Sequence, residues 1–285
     1  MSRDHVKNST RILAAWFPEV GAGCFTSLDG TIEFYTRINA LLGTTMAVLD
    51  FGAGRGALLT DGYCDYKKKL MTLRGKVAKV VACDIDEEVL SNSGADETVV
   101  IQTDAPLPFP DASFDLIVAD FVFEHIAGPA FVSAELRRIL KRGGWICART
   151  PNRYCLVSLM TRAIHNSRHA RLLRWVQPER KSIDVFPTQF KLNSKRDIVR
   201  WFGPDVFDDF TYRYEAEPSY FFNSRAVFAF FVAHQSPVTA RDEVGAVRIP
   251  SQEDGALGLS TRKWQRQVVS KKLPPYPGDA LVAAQ

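Results

Sequence analysis

Short apolar runs alternate with stretches of helical spacing between about residues 45 and 150. Apolar runs bounded by glycine or polar residues are typical of strands buried on both faces of a parallel sheet. Such runs predict strands near residues 45–51, 78–83, 97–102, 114–119 and 145–150. Because helical stretches separate them, the pattern predicts an α/β fold with a Rossmann-like, doubly wound and mostly parallel sheet.

Helices are predicted before the first strand and before the fifth. Residues 6–17 and 30–42 place apolar side chains at helical spacing and form a predicted N-terminal cap over residues 1–44. Another helix is predicted to begin at Pro129, because proline suits the first turn of a helix. The side chains that this helix is expected to bury are Phe131, Leu136 and Ile139.

The alternation weakens in the second half of the chain. We predict a helical lid inserted over about residues 153–195, followed by a helix near 195–202 and a strand near 207–214. An antiparallel terminal hairpin is not evident in the pattern. The α/β domain is therefore predicted over residues 45–235, and residues 236–285 form a predicted, loosely packed tail.

Composition narrows the class of protein. The hydrophobic fraction of 46% excludes wholesale disorder, and the net charge of +4 is too mild to predict binding to nucleic acid or membranes. The five cysteines are scattered and never spaced as CxxC, which argues against a disulfide framework or a zinc site. Since no apolar leader and no run of membrane-spanning length is found, we expect a cytoplasmic protein.

A glycine-rich segment, DFGAGRG at residues 50–56, directly follows the first predicted strand. Glycines let the backbone turn sharply and approach a ligand closely, because a Cβ atom would block that approach. Asp50 ends the strand, at the edge where ligands bind to open α/β sheets. Its negative charge suits a ligand with an ammonium and a sulfonium group better than a pyrophosphate.

The same segment also fits a dinucleotide fingerprint through Gly52, Gly54 and Ala57, so an NAD-dependent oxidoreductase is the alternative hypothesis. That fingerprint expects an acidic residue about 20 positions further on. Asp84 lies considerably farther along, and the fingerprint has no role for Asp50. A non-catalytic binding module that keeps the fold is a third hypothesis.

Two further carboxylates follow predicted strands. Asp84 ends the second strand, where it can accept hydrogen bonds from both hydroxyls of a ribose or, alternatively, cap a helix. Ile85 would then lie against an adenine ring. Asp104 follows the third strand, where it can accept a hydrogen bond from an adenine amino group or serve as a turn residue.

Four segments, in this order, resemble the successive motifs of class I S-adenosylmethionine-dependent methyltransferases: VLDFGAGRG, VVACDID, TDAPLPFPDASFDLIVADFVFEHI and LKRGGWICARTPN. They are most similar to the small-molecule branch that includes ubiquinone and menaquinone C-methyltransferases. The resemblance covers about residues 45–152 and implies S-adenosylmethionine as the cofactor.

The resemblance also implies which residues hold that cofactor. The glycine segment would contact the methionine part, the end of the second strand the ribose, and the turn after the third strand the adenine. The predicted cofactor-binding residues are Asp50, Gly52, Ala53, Gly54, Asp84, Ile85, Asp104, Ala105 and Asp120. The N-terminal helices would cap the site, with Tyr35 or Arg37 near the cofactor carboxylate.

The predicted catalytic residues are Glu124 and His125, which follow the fourth strand on the crevice side. Methyl transfer requires the acceptor atom within about 3–3.5 Å of the methyl carbon, in line with the leaving sulfur. His125 is the expected general base for a hydroxyl acceptor, because an imidazole titrates near neutrality. The alternative is that His125 packs beneath the next helix.

The acceptor is predicted to be a small molecule or a glycan-type metabolite, methylated at oxygen, with C-methylation of a quinone-like or polyketide ring as the alternative. Nucleic acid is disfavoured because residues 120–123 read DFVF and lack the Asp/Asn-Pro-Pro-Tyr/Phe motif of enzymes that methylate DNA amino groups. The lid contains basic residues that either clamp an acidic acceptor or form a solvated face: Arg162, His165, Arg168, His169, Arg171, Arg174, Arg180 and Lys181. The sequence does not predict the oligomeric state.

Overall fold

The structure is a computed structural model that describes residues 13–61, 64–152, 188–215 and 241–249. Its strands are β1 Ala47–Phe51, β2 Lys79–Asp84, β3 Glu97–Val100, β4 Phe114–Asp120, β5 Leu140–Pro151, β6 Asp208–Asp209, β7 Tyr212–Glu215 and β8 Arg241–Arg248. Its α-helices are α1 Gly30–Leu41, α2 Ala57–Asp61, α3 Asp65–Met71, α4 Pro129–Ile139 and α5 Lys195–Phe202. Short 3-10 helices span Pro18–Ala22, Glu87–Ser91 and Phe123–His125.

The strands form one sheet in the order β3-β2-β1-β4-β5-β8-β6, with β7 also paired to β8. The first five strands are parallel to one another, whereas β8 is antiparallel to β5, β6 and β7. The predicted α/β fold with a mostly parallel sheet is therefore confirmed. Because β1 lies between β2 and β4, the carboxyl ends of these three strands meet at one edge, and they end near Asp50, Asp84 and Asp120.

Two apolar cores cover the two faces of the sheet. Leu49 and Ile117 belong to the core that includes α4 and α5, whereas Val48 and Leu116 belong to the core that includes α1. Neighbouring residues of one strand point to opposite faces. Strands buried on both faces have no polar alternation, which explains why β1 and β4 show the continuous apolar runs seen in the sequence.

The helices begin where the sequence supplies suitable N-terminal residues. Asp29 caps α1 by accepting hydrogen bonds from the backbone N–H groups of Thr31 and Ile32 at 2.9 and 3.2 Å. Pro129 occupies the first turn of α4, as predicted. The prediction that Phe131 is buried is wrong: it is 41% exposed, because α4 packs through the stripe that contains Leu136 and Ile139. None of the helices in the described part of the chain is long and apolar enough to cross a membrane.

The end of the sheet departs from the prediction. The single strand expected near residues 207–214 is two short strands, β6 and β7, and the antiparallel terminal strand that the pattern did not reveal is β8. Strand β8 lies past the predicted domain end at residue 235, so residues 241–248 belong to the sheet and not to a tail. Its sequence, RDEVGAVR, has no apolar run, and hydrogen bonding to β5 and β7 determines its conformation.

Several predicted features lie outside the described residues. They are most of the first helix (residues 6–12), residues 153–187 of the lid with its basic side chains, and residues 250–285. The end of the predicted lid is described, and residues 188–194 pack against the turn that follows β4. The four cysteines in the described part of the chain are free thiols.

Candidate active site

The glycine segment forms a tight loop between β1 and α2. Gly52, Gly54 and Gly56 all have positive φ angles, of 73°, 50° and 68°, which favour glycine over residues with a side chain. The backbone N–H of Gly52 donates to the Cys83 carbonyl at 2.8 Å, which ties the loop to β2. A Cβ on Gly52 would lie 2.5 Å from Val122, and one on Gly56 would lie 2.7 Å from Asn92. Packing as well as backbone conformation therefore requires glycine at both positions.

Gly54 differs from its neighbours because it borders open space. Its backbone N–H donates a hydrogen bond to Asp84 Oδ2 at 2.8 Å. An added Cβ would meet only Asp84 Oδ2, at 4.0 Å, and no other heavy atom within that distance. The loop therefore leaves room for a ligand at Gly54, directly beside a carboxylate.

Asp84 is buried at the end of β2, and its alternative role as a helix cap is wrong. The cap of the following 3-10 helix is Asp86, which accepts the N–H of Glu88 at 3.0 Å. Asp84 instead accepts hydrogen bonds from the loop, at Gly54, and from the N–H of Asp86 at 3.1 Å. Each carboxylate oxygen keeps a second lone pair for a ligand hydroxyl. Ile85 beside it is 53% exposed, an unusual fraction for an apolar side chain at the end of a buried strand.

Asn92 is a buried residue of the site that the sequence analysis did not identify. Its Nδ2 donates to the carbonyls of Ala53 and Gly54 at 3.4 and 3.1 Å, and its Oδ1 accepts the N–H of Gly94 at 2.9 Å. The amide thus holds the backbone of the glycine loop through two of its carbonyls. No pattern in the surrounding polar sequence marks this asparagine, because its partners are backbone groups about 40 positions away in the chain.

Asp50 is partly buried at the end of β1, in a cluster of negative charge. Burial, together with the carboxylates of Asp120 and Asp84, raises the pKa of Asp50 from 3.8 to about 7. A ligand that brings a positive charge would relieve this repulsion, whereas a pyrophosphate would add to it. The electrostatics of the loop therefore suit a ligand that carries a positively charged group.

Asp120, at the end of β4, is held by two buried partners. The guanidinium of Arg149 on β5 donates to Oδ1 from Nε at 2.5 Å and to Oδ2 from Nη2 at 2.9 Å. The Tyr35 hydroxyl on α1 also donates to Oδ2, at 3.1 Å. Burial opposes the charge of Arg149, but Asp120 raises the pKa of this guanidinium above its ordinary value. The charge of Asp120 is therefore compensated by Arg149, whereas no ion pair of Asp50 is found among the residues that the structure describes.

The two N-terminal residues proposed to lie near the cofactor carboxylate occupy different places. Tyr35 is buried against Asp120, and burial together with Asp120 and Asp50 raises the pKa of its hydroxyl. Arg37 forms an ion pair with Glu33 at 2.8 Å and lies over the Tyr212 ring at 4.6 Å. The structure thus brings Tyr35, and not Arg37, into the carboxylate cluster.

The predicted adenine-binding residues Asp104 and Ala105 lie in a turn after β3. Asp104 is exposed and Ala105 is partly buried. An exposed carboxylate in a turn fits a ligand contact and an ordinary turn residue equally, so both interpretations of Asp104 stay open.

The predicted catalytic residues lie in the 3-10 helix that follows β4. Glu124 is buried and accepts a hydrogen bond from the Thr150 hydroxyl at 2.8 Å. His125 has a side chain that is 23% exposed, and its Nε2 lies 4.0 Å from Glu124 Oε1. The Glu124 carbonyl accepts the backbone N–H groups of Gln189 and Phe190 at 2.6 and 3.1 Å. Phe190 is buried there, so this turn connects β4 to the end of the predicted lid.

Comparison with known proteins gives one family and several relatives. Residues 49–148 match the methyltransferase domain family. A ubiquinone/menaquinone biosynthesis C-methyltransferase of Saccharophagus degradans is 35% identical over 106 residues, which are 34% of this chain and 39% of that protein. A probable S-adenosylmethionine-dependent methyltransferase of Mycobacterium tuberculosis is 33% identical over 113 residues, which are 39% of this chain and 37% of that protein.

Among solved structures, an S-adenosylmethionine-dependent methyltransferase from Mesorhizobium loti is similar with a TM-score of 0.48 and 15% identity. The similarity covers 78% of this chain and 100% of that chain. The chain spans about two fifths of the length of the curated relatives that it matches, at 39% and 37%.

The family match covers the glycine loop, Asp84, Asp120 and the His125 turn. Residues 49–148 are thus similar to S-adenosylmethionine-dependent methyltransferases, over part of the length of each relative.

Proposed function

We propose that this protein transfers a methyl group from S-adenosylmethionine to a hydroxyl of a small-molecule or glycan-type acceptor. The observation that carries the proposal is the partly buried carboxylate of Asp50 beside a glycine loop with open space at Gly54. A cationic methionine group placed there would lower the energy of the site. A cytoplasmic location, suggested by the free cysteines, is part of the proposal.

In this proposal each part of the cofactor has a binding group. Asp50 takes the ammonium group, and the backbone of Gly52, Ala53 and Gly54 follows the methionine part closely. Asp84 takes the ribose hydroxyls with the lone pairs that the loop leaves free.

The adenine is proposed to lie on Ile85 beside Asp104 and Ala105. Exposure of Ile85 supports this arrangement, because an apolar side chain gains stability when a flat apolar ring covers it. Asp120 acts differently, since Arg149 and Tyr35 already occupy its oxygens. It contributes by adding to the negative potential at Asp50 and by holding the end of β4 in place.

His125 is proposed as the general base. When bound, the cofactor supplies a methyl group on a positively charged sulfur, and that sulfur keeps the electron pair of the broken C–S bond. The acceptor oxygen forms the new bond to carbon, and its proton moves to the imidazole of His125. The neighbouring carboxylate of Glu124, 4.0 Å from Nε2, stabilises the resulting imidazolium.

C-methylation of a quinone-like ring is the second candidate. Two of the curated relatives, from Saccharophagus degradans and Hahella chejuensis, are named as ubiquinone/menaquinone biosynthesis C-methyltransferases. A base is also useful for that reaction, because the ring carbon loses a proton after methylation. The two candidates predict different products, with the new methyl on oxygen or on carbon. Both are small-molecule reactions, and methylation of nucleic acid is not proposed.

Isothermal titration calorimetry with S-adenosylmethionine, S-adenosylhomocysteine and NAD tests the cofactor part. We expect binding of the two adenosyl sulfur compounds and none of NAD. The variants Asp50→Ala and Asp84→Ala should each weaken binding by at least about tenfold, since each removes a charged hydrogen-bond partner worth about 1.5–3 kcal/mol. Undiminished affinity in folded Asp50→Ala protein, or binding of NAD alone, would contradict the proposal.

The acceptor part is tested with methyl-labelled cofactor and a panel of phenols, sugars and quinones. Transfer to a hydroxyl is expected for wild-type protein, and the position of the label in the product separates O-methylation from C-methylation. His125→Ala should lower turnover by about 100-fold or more while the cofactor dissociation constant stays unchanged. Wild-type turnover in this variant would assign His125 a packing role instead.

A further inference from the structure

A row of four side chains from three segments lies beside the turn after β4. Glu124 and His125 belong to the turn, Thr150 belongs to β5, and Asn193 belongs to the segment before α5. Glu124, Thr150 and Asn193 are all buried. The Nδ2 of Asn193 donates to the Thr150 hydroxyl, and that hydroxyl donates to Glu124 Oε2 at 2.8 Å. Burying three polar side chains in contact is costly unless their hydrogen bonds are made.

The direction of these hydrogen bonds is determined by a backbone carbonyl. Asn193 Nδ2 lies 3.2 Å from the carbonyl oxygen of Pro151, a group that can only accept. The NH2 group of the amide must therefore face Pro151 and, with it, the Thr150 oxygen. Since the Thr150 oxygen accepts from Asn193, its own hydrogen is free to point toward Glu124. Glu124 Oε2 is consequently the acceptor at the end of the row.

A carboxylate that accepts such a hydrogen bond is stabilised in its charged form. The second oxygen of Glu124, Oε1, lies 4.0 Å from His125 Nε2. The hydrogen bond from Thr150 to Oε2 therefore keeps Glu124 negatively charged. Its other oxygen, Oε1, places that charge next to the imidazole. Neither Thr150 nor Asn193 was identified from sequence.

We propose that Thr150 and Asn193 are positioning residues that act through Glu124 to keep His125 basic enough to receive the acceptor proton. This inference rests on the proposed role of His125 as general base. The acceptor oxygen bonds to the methyl carbon, the C–S electron pair stays on sulfur, and the proton released from the acceptor ends on His125. The hydrogen bonds among Asn193, Thr150 and Glu124 neither supply nor accept a proton in this step. They keep Glu124 negatively charged, and this charge stabilises the imidazolium.

Two charged groups around the turn, both in the part of the chain that the structure describes, are directed elsewhere. Lys191, in the segment that packs on the turn, donates from Nζ to the Ala127 carbonyl at 3.0 Å. On β5, next to Thr150, the Arg149 guanidinium is paired with Asp120. Among the charged groups that the structure describes around the turn, Glu124 is therefore the one whose removal is expected to affect the imidazole most strongly.

Histidine NMR tests this inference without cofactor or acceptor. The titration midpoint of the His125 ring Cε1–H resonance is measured in wild-type protein, with the resonance assigned by its absence from His125→Gln. Glu124→Gln should lower the midpoint by about one pH unit, because it removes a carboxylate close to the ring. Thr150→Val should lower it by a smaller amount, whereas Thr150→Ser keeps the hydroxyl and should restore the wild-type midpoint.

Thr98→Val is the matched control, because it makes the same chemical change on β3, three strands away from β4. An unchanged midpoint in Glu124→Gln or in Thr150→Val, in protein with the wild-type spectral dispersion, overturns the inference. Should Thr150→Val fail to fold, Thr150→Cys replaces it, since a thiol conserves the volume and donates weakly. Failure of the proposed function is seen separately, as an absence of S-adenosylmethionine binding in calorimetry.

Discussion

The buried guanidinium of Arg149 donates hydrogen bonds to both carboxylate oxygens of Asp120, and the two residues lie opposite each other where β4 pairs with β5. Arg149 also donates from Nη1 to the Thr31 hydroxyl at 3.2 Å, and its guanidinium lies 4.5 Å from the centre of the Phe121 ring. Phe121 has a positive φ angle of 55°, which is strained for a residue with a side chain. One ion pair thus joins the cap helix α1, the end of β4 and the edge of the cofactor crevice.

Arg149→Met should destabilise the protein by about 3–5 kcal/mol, because it leaves the carboxylate of Asp120 buried without its counter-charge. Urea unfolding followed by circular dichroism measures this change. The double variant that combines Asp120→Asn with Arg149→Met should recover a large part of the loss, since it removes both charges. A double variant as unstable as the sum of the two single variants would show that the pair is not energetically coupled.

Gly54→Ala should weaken cofactor binding strongly while the protein still folds. The positive φ angle at this position costs an alanine about 1–2 kcal/mol, and its Cβ would project into the open space beside Asp84. We expect the affinity for S-adenosylhomocysteine to fall by at least about tenfold, as measured by calorimetry.

The matched control for this variant is Gly75→Ala. Gly75 has a φ angle of 81°, lies on the surface and has no neighbour within 4 Å of an added Cβ. This variant should lose similar stability and keep its affinity for the ligand. Equal affinity in the two variants would mean that the space at Gly54 is not the cofactor site.

The sequence predicted the parts of this site that depend on the ends of buried strands. The apolar runs of β1, β2 and β4 are each followed by an aspartate, and parallel strands bring these ends to one edge of the sheet. Arg149 was missed, although a charged residue inside the apolar run of β5 is a usable signal, because a buried charge requires a partner. The identity of that partner depends on strand register, which periodicity does not specify.

Other contacts were beyond sequence reasoning for different reasons. Asn92 and Asn193 donate hydrogen bonds to backbone carbonyls. Because every residue type has the same backbone carbonyl, the sequence does not indicate these partners. Strand β8 is fixed by its position between β5 and β6, and its charged sequence contains no strand pattern. Phe131 has helical spacing with Leu136 and Ile139 only approximately, and a small rotation of α4 leaves it exposed.

In the ligand-free protein, Asp50→Asn should be more stable than wild type at pH 8, and this difference in stability should be smaller at pH 5. Folding raises the pKa of Asp50 from 3.8 to about 7, so folding favours its protonated form. The resulting stability is fully present below about pH 3.8 and is lost as the pH rises through about 7. The stability advantage of Asp50→Asn should therefore grow by roughly 2–3 kcal/mol between pH 5 and 8.

Ionisation of Asp50 lowers the stability of the ligand-free protein, but it should strengthen cofactor binding. Binding of an ammonium group requires the charged form of Asp50, so affinity for S-adenosylmethionine should increase as the pH rises from 6 to 7.5. Calorimetry in buffers of different ionisation enthalpy should then show proton release on binding below pH 7. In Asp50→Asn both the pH dependence and the proton release should disappear. Persistence of either one would assign the titration to another group.

Ile85→Ser should weaken cofactor binding about fivefold with little change in stability. Ile85 is 53% exposed, so replacing it exposes no core, but it removes the apolar surface proposed to lie under the adenine ring. A loss of about 40 Å² of apolar contact corresponds to about 1 kcal/mol. Leu90→Ser is the matched control, because Leu90 is 61% exposed in the 3-10 helix that follows Asp84. If both variants bind S-adenosylhomocysteine as tightly as wild type, the adenine lies elsewhere, and Asp104 loses its proposed role with it.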